Sequence, residues 1–436
     1  MRTALLHGTS PSSRREYSLE PSCSQDALQS AVLQEGLPNL LLISQTIPQT
    51  INAGDILLYR LLKDYPPEKL LVIGSPAHHE ASVLNCRYET MQAPLERLER
   101  TRLARLTASL KVLGLFPRLS QRTIRRHVGQ FEPEVVLSIM QTHAYYDVAF
   151  RFAQSAGLPL VIVVYDVPED FERVYGFLQS VQRRKNARVY TYATKRLCVS
   201  PEMNRSLHHA YGVPGHVLYP NRSEDLIPRP ASDEPFGLKE PGYLTVGYAG
   251  SLAYGYGAQL TRMIPAFREA HVKLRIYSSG ELAVEANDIV TYCGRLPLAE
   301  KTWSKVKEEC DAVILPYCWP KDGHQALYRV HFPSKLSEYL ALGMPVIVLG
   351  PEYATGVKWA KEFQAALTIT EDDQALWIKA LTLLQGSACL RRELSKQALA
   401  AAKLFDPSEI RNQFLSHLHE AAFARFNSCV EESIKN

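Results

Sequence analysis

The sequence predicts an α/β protein built from two doubly wound parallel-sheet domains that face a common cleft. Three observations carry this expectation. Apolar runs of strand length alternate with helical periodicity, the alternation occurs as two separate series, and one helix of the second series runs directly into a buried strand. The chain of 436 residues is long enough for two cores. Its net charge of +4 makes no general case for nucleic-acid binding.

Residues 1–37 are rich in Ser, Arg, Glu and Gln without sustained periodicity and read as a poorly ordered tail. The N-terminal domain, 38–225, opens with an apolar strand at 40–44, a loop holding Gly54 and a helix over 55–62. A strand at 69–74 and a long Arg-rich helical region over about 95–128 follow. Then come a strand at 134–139, a helix over 144–156 and a fully apolar strand at 160–166 that ends in Asp166. Further on, a helix lies near 190–194, a strand covers 196–200, and Ser200-Pro201 reads as an N-cap with proline at the first helical position. Residues 226–242 turn to Pro, Asp, Glu and Gly and mark a linker. The second series, 243–405, starts with a strand at 244–250, followed by a helix over 258–270 and strands at 273–277 and 289–293. A helix over 300–309 and a strand at 312–315 precede the most informative segment, and residues 406–436 read as a helix that packs back on the first domain.

That segment is His331 to Leu349. Pro333 stands in the opening turn of a short helix, Gly343 just past its end and Pro345 two residues on, before the strand Val346 to Leu349. Leu336, Tyr339 and Leu340 share one face at i, i+3, i+4, suited to a sheet, while Lys335 and Glu338 lie on another. In the first turn, with Ser334, unpaired N–H groups and the helix dipole favour an anion, and Lys335 adds a full positive charge. One turn deeper Glu338 accepts hydrogen bonds from hydroxyls. A sugar nucleotide carries both groups. The two residues are equally compatible with an exposed i, i+3 ion pair.

Other features are less specific. Gly54 opens a helix after the first strand, where a ligand can approach the backbone or an ordinary turn is made. Gly250-Ser251, with Gly255 and Gly257, departs from the G-x-G-x-x-G spacing and argues against a dinucleotide site. Asp166, at the end of a buried strand, is placed either to deprotonate or orient an acceptor hydroxyl or to cap a turn. His143 is a further candidate of the same kind. The eight cysteines show no C-x-x-C pair and no His partner at zinc spacing, so they read as reduced thiols, with no metal and no cofactor. No apolar run reaches the ~20 residues that span a bilayer, and residues 1–30 lack a signal-peptide core, which points to the cytoplasm. Between 95 and 126, arginines such as Arg102, Arg105, Arg122 and Arg125 are interleaved with Leu103, Leu106 and Val112, a pattern shared by helices on anionic lipid and by solvated helix faces.

Taken in order, these stretches resemble the GT-B glycosyltransferases of family 4 (group 1). The resemblance is carried by Val199–Met203 with Tyr211–Pro214 and Tyr219–Asn221, then Val246–Gly250, Arg275–Tyr277, Gly294–Leu296, Asp311–Pro316 and the 331–349 segment. It implies two Rossmann-like domains, with a nucleotide-sugar donor on the C-terminal one and a glycan or lipid-linked saccharide acceptor on the N-terminal one. Glu338 matches the second Glu of the family's E-x7-E signature, which implies contact with the donor ribose; the first Glu falls on Val330. The basic pair expected after the first C-terminal strand falls near Ser251 and Gly255, which leaves Lys335 to meet the pyrophosphate, next to Gly250. Gly54 matches the loop glycine near the donor phosphate. Asp166 matches the second member of a His-Asp pair, preceded here by Tyr165. Arg222, after Pro220-Asn221, and Arg295, in the Gly-Arg-Leu turn, are further candidates for donor contacts. With no Asp-x-Asp motif the donor is expected as substrate without metal, and a lipid-linked acceptor would give use to contact of the basic segment 95–126 with the inner membrane face. Two rival readings are a sugar-nucleotide epimerase of the same fold and a degenerate sugar-nucleotide-binding or scaffold protein.

Overall fold

The computed structural model describes residues 36–435, apart from 51–52, 77–82, 94–97, 99–100, 115–120, 172, 229–236, 297–298 and 320–324. Nearly all of the expected tail therefore lies outside the described residues.

Two parallel sheets organise the chain. The first has seven strands: β1 (Leu40–Ile43), β2 (Leu70–Gly74), β3 (Arg87–Thr90), β4 (Val135–Ile139), β5 (Leu160–Val164), β6 (Lys195–Cys198) and β7 (His216–Val217). Their order across the sheet is 3-2-1-4-5-6-7. The second has six: β8 (Leu244–Ala249), β9 (Val272–Tyr277), β10 (Val290–Tyr292), β11 (Ala312–Pro316), β12 (Val346–Leu349) and β13 (Leu367–Ile369), in the order 10-9-8-11-12-13. Helices cover both faces of each sheet, so central strands such as β1, β5 and β12 are buried on both sides and read as unbroken apolar runs. In each sheet the order reverses beside the first strand, between β1 and β4 and between β8 and β11. Crevices at such reversals, beyond the carboxyl ends of the strands, are where doubly wound sheets take ligands.

The helices that position the candidate site are α1 (Ala53–Leu62), α2 (Ala104–Leu113), α3 (Gln121–Val128), α4 (His143–Ala156), α5 (Gln179–Tyr192) and α6 (Pro201–Tyr211) in the first domain. Those of the second are α7 (Tyr256–Glu269), α8 (Ala299–Glu309), α9 (Gln325–Val330), α10 (Ser334–Ala341), α11 (Thr355–Glu362), α12 (Gln374–Gly386) and α13 (Ala388–Ala402), followed by the terminal helix α14 (Pro407–Lys435). Ser200 caps α6, its hydroxyl accepting from the Met203 N–H at 2.9 Å. Two expectations are corrected. The Arg-rich region contains two separate helices, α2 and α3, and Arg125 of α3 hydrogen bonds to Ser155 while lying over the Phe152 ring. Helix α5 starts well before residue 190 because its buried stripe includes Gln182 and Asn186, which apolar periodicity does not register; Asn186 accepts from the Tyr146 hydroxyl at 2.7 Å.

Helix α14 leaves the second domain and lays Ile410, Phe414, Leu415, Leu418 and Ala421 against the core beneath β1, β2, β4 and β5. Phe414 is fully buried there. Phe414→Ala is expected to cost about 3–5 kcal/mol through lost burial and the cavity left behind, read as a lower midpoint in chemical denaturation; an unchanged midpoint would show that α14 does not close the first domain's core.

Candidate functional site

Helix α10 carries both charges singled out in the sequence, and the structure turns them toward different surroundings. Its apolar face seats Leu336, Tyr339 and Leu340 in the core, with the Tyr339 hydroxyl accepting from the Ala249 N–H at 2.9 Å and donating to the Ala249 carbonyl at 3.1 Å. This fixes the helix against the end of β8. Lys335 then reaches the carboxyl edge of the second sheet, its ammonium 3.8 Å from the Tyr256 ring centroid and 5.2 Å from that of Tyr248. Aromatic faces attract a cation without neutralising it. Among the described residues no carboxylate pairs with Lys335, and burial pulls its pKa down to about 7. Burial also raises the pKa of both tyrosines, so they stay neutral phenols. Gly250 makes room for the lysine: its φ is +125°, and a Cβ there would come within 2.5 Å of the Lys335 Cε. Ser251 is exposed next to it, and Ser334 begins the helix with partial exposure.

Glu338 faces the other way. One carboxylate oxygen pairs with Arg60 of α1 at 2.7 Å, and the other accepts the Ser223 N–H at 3.0 Å. Arg60 also donates to the Asn221 carbonyl at 2.7 Å. The surface-pair alternative for Lys335 and Glu338 is thus excluded, since the two engage different partners. Arg222 is likewise held inside the joint, donating to Asp406 at 2.7 Å and to the Leu226 carbonyl at 2.8 Å; its charge ties the linker to the start of α14 rather than facing the end of β8. Arg295 is exposed after β10.

The residue that sequence reasoning overlooked is His331. Its Nδ1 lies 2.8 Å from Asp166 across the two domains, and the Val167 N–H approaches its Nε2 at 3.4 Å. The second Asp166 oxygen accepts from Gln141 at 2.8 Å, whose own carbonyl accepts from Thr46 at 2.9 Å. A continuous polar chain therefore links the loops after β1 and β4, at the reversal of the first sheet, to the segment leading into α10. The only signal in the sequence was the position of His331 beside Val330. Val330 itself is partly buried, and its carbonyl accepts from the Ser200 hydroxyl at 2.6 Å. His143, by contrast, is buried at the start of α4, with its ring 5.2 Å from Tyr146 and its pKa lowered to about 4 by burial.

A cavity of about 1530 Å³ opens in the first domain. Gln45, Thr46, Gly54, Asp55, Gln141 and Val167 line its side nearest the Asp166–His331 chain. A Cβ at Gly54 would make only ordinary contacts with Tyr165 and Thr46, so the protein itself does not require glycine there. Among the described residues no cluster of His, Cys, Asp and Glu is arranged to hold a metal ion, and no helix is long and apolar enough to cross a membrane.

No protein-family profile and no curated protein sequence matches the chain. Solved structures do. Anabaena Alr3699/HepE in complex with UDP and glucose superposes with a TM-score of 0.58 at 15% identity, over 87% of this chain and 99% of that one. Sucrose-phosphate synthase from Thermosynechococcus elongatus gives 0.64 at 14% identity, over 88% and 98%. The α,α-trehalose 6-phosphate synthase from Burkholderia multivorans gives 0.57 at 12%, over 90% and 98%. At these identities the likeness is one of fold, and that fold is the two-domain GT-B arrangement.

Two expectations follow from the geometry. An anion that contacts Lys335 should restore the proton that burial removes. Calorimetric titration with a nucleoside diphosphate in buffers of different ionisation heat should therefore show proton uptake that approaches one at pH 8 and vanishes toward pH 6, because the free lysine titrates near 7. Equal uptake in Lys335→Ala would assign the proton elsewhere. Arg60→Ala leaves Glu338 buried without its cation and is expected to cost about 3 kcal/mol in denaturation experiments; a loss below about 0.5 kcal/mol is the behaviour of a solvent-screened surface pair and would refute its structural role.

Proposed function

We propose that the chain transfers a sugar from a nucleotide-sugar donor, bound by the C-terminal domain, to a hydroxyl of a glycan or lipid-linked saccharide bound in the N-terminal cavity. The observation that carries this reading is Lys335: a lysine without a counter-ion among the described residues, held against two tyrosine rings beside Gly250, at the carboxyl edge of the second sheet. A diphosphate leaving group develops negative charge as the glycosidic bond breaks. A preorganised cation in a poorly solvated setting stabilises that charge more than water does. The opening turn of α10, with Ser334, adds N–H dipoles of the same sign. Asp166 and His331 join the loops after β1 and β4 to the segment leading into α10, and in this reading the pair orients the acceptor hydroxyl or receives its proton. Glu338 is already bonded to Arg60 and Ser223, so any ribose hydroxyl would join an existing network. Support for uridine diphosphate as the first nucleotide to test comes from the UDP-glucose complex of Alr3699/HepE, which shares the fold.

A second reading, nucleotide-sugar binding without turnover, is favoured by one feature. The position matching the first signature Glu is Val330, whose side chain offers no polar contact to a donor sugar.

Thermal-shift titration with UDP, GDP, ADP and their sugar conjugates tests the proposal. At least one nucleotide should stabilise the wild type, and Lys335→Ala should weaken that binding by about tenfold or more, the scale of one charge-assisted contact. If no nucleotide stabilises the wild type, the donor site is wrong. Binding with no release of nucleoside diphosphate in the presence of candidate acceptors would select the second reading.

A further inference from the structure

We infer that the outer face of α2, with the neighbouring Tyr175 and Phe177, docks on an anionic lipid bilayer. The inference goes beyond the glycosyl-transfer reading and stands apart from it. Helix α2 turns Thr107, Ala108 and Val112 inward, where Ala108 and Val112 pack with Val174 and Leu178. Leu103, Leu106, Leu110 and Leu113 recur at i, i+3, i+7 and i+10 on the side away from that contact, and Leu103, Leu106 and Leu113 are exposed. The Tyr175 N–H donates to the Ser109 hydroxyl at 3.0 Å, which seats the following segment along the same helix, and the Tyr175 and Phe177 rings stack with centroids 6.2 Å apart. At 77% exposure, Phe177 is the most exposed large apolar side chain among the described residues. Of the thirteen exposed large apolar side chains among those residues, five belong to this one face. Single exposed leucines are ordinary, whereas a grouped apolar surface marks a binding face.

Charge selects the occupant. Residues 101–131 and 173–201, which supply α2, α3, α5 and the aromatic pair, carry seven Lys and Arg each and no Asp or Glu, although the whole chain balances to +4. Helix α4, which packs against α2 and α5, has one carboxylate, Asp147, and it is paired with Arg151 at 2.9 Å. The carboxylates of the N-terminal cavity, Asp55, Glu169 and Asp170, come from other segments. Arg102 is exposed next to Leu103, and the Arg105 guanidinium lies 5.0 Å from the Tyr175 ring centroid. A second copy of this chain would bring like charges together, and a nucleic acid would leave the aliphatic leucines without an apolar partner. An anionic bilayer meets both demands, since its headgroups face the arginines while the acyl boundary takes the leucines and Phe177. Arginine suits that depth because its stem is apolar and its charge stays at the headgroups. Ala104, Arg105 and Ala108 of the same helix also line the N-terminal cavity, so the docked face borders it.

Flotation of the full chain with phosphatidylcholine vesicles, with and without phosphatidylglycerol, tests the inference. The wild type should bind the anionic vesicles about tenfold or more above the neutral ones, and the difference should shrink as added salt shortens the screening length below ~10 Å. Leu106→Ser/Leu113→Ser, at exposed positions, should lower binding to anionic vesicles by about tenfold or more. Phe177→Ser supplies the same readout should the helix variant fail to fold, which circular dichroism and the denaturation midpoint report. Arg102→Gln should weaken binding by about fivefold at low salt and leave it unchanged at high salt. No binding of the wild type to anionic vesicles, or leucine and Phe177 variants that bind as the wild type does, overturns the inference. Binding of a DNA duplex as tight as that of anionic vesicles and indifferent to the leucine variants also overturns it, and assigns the face to a polyanion.

Discussion

The arrangement turns on one buried ion pair, Arg60 with Glu338, placed where the first helix of one domain meets α10 of the other. Two charges removed from water must compensate each other or both segments lose stability. Here the compensation extends outward. Arg60 also holds the Asn221 carbonyl, Glu338 holds the Ser223 N–H, and Arg222 between them binds Asp406 at the foot of α14. Arg411 of α14 closes the ring, donating to the Arg60 carbonyl at 3.2 Å and pairing with Asp64 at 2.6 Å and with Glu224. The crossing from the first domain to the second, and the return through α14, are therefore pinned by one polar network. Around it Phe332 packs against Tyr219, Trp359 and Phe405 at centroid distances of 5.3, 5.8 and 5.5 Å, which limits water entry and raises the electrostatic stakes.

Against that compensated carboxylate, the lysine three residues earlier is left uncompensated among the described residues. Both sit on the same short helix, so the contrast arises from what each faces and not from local structure. Glu338 meets an arginine and a backbone N–H; Lys335 meets two tyrosine rings and a glycine. A fold optimised for stability alone would not leave an ammonium there, because burial without a counter-ion penalises the charged form. Such departures from local consistency concentrate at functional sites. The Asp166–His331 contact adds a second element, since it joins the polar lining of the N-terminal cavity to the residue four positions before Lys335.

The elements legible in the sequence are those whose cause is local. The apolar runs of β1, β5 and β12 and the Ser200-Pro201 cap appear where they were expected, because double-sided burial and capping leave signatures within a few residues. The helix α10 between Pro333 and Gly343 is of the same kind. Less was legible where burial is polar or pairing is distant. Helix α5 hides its inward face behind Gln182 and Asn186, and edge strand β3 has only partly buried or exposed residues. Arg60 reads as an ordinary residue of an amphipathic helix, since its partner is 278 positions away in Glu338.

By itself the sequence determined the alternation of strands and helices in two series and the helix that brings Lys335 and Glu338 into one turn. Periodicity and capping are properties of neighbouring residues, so they survive without knowledge of the fold. Tertiary structure alone decided which charge would be neutralised: Arg60 took Glu338, nothing among the described residues took Lys335, and His331 met Asp166 from the opposite domain. Electrostatic identity depends on distance in space, and chain order carries no record of it.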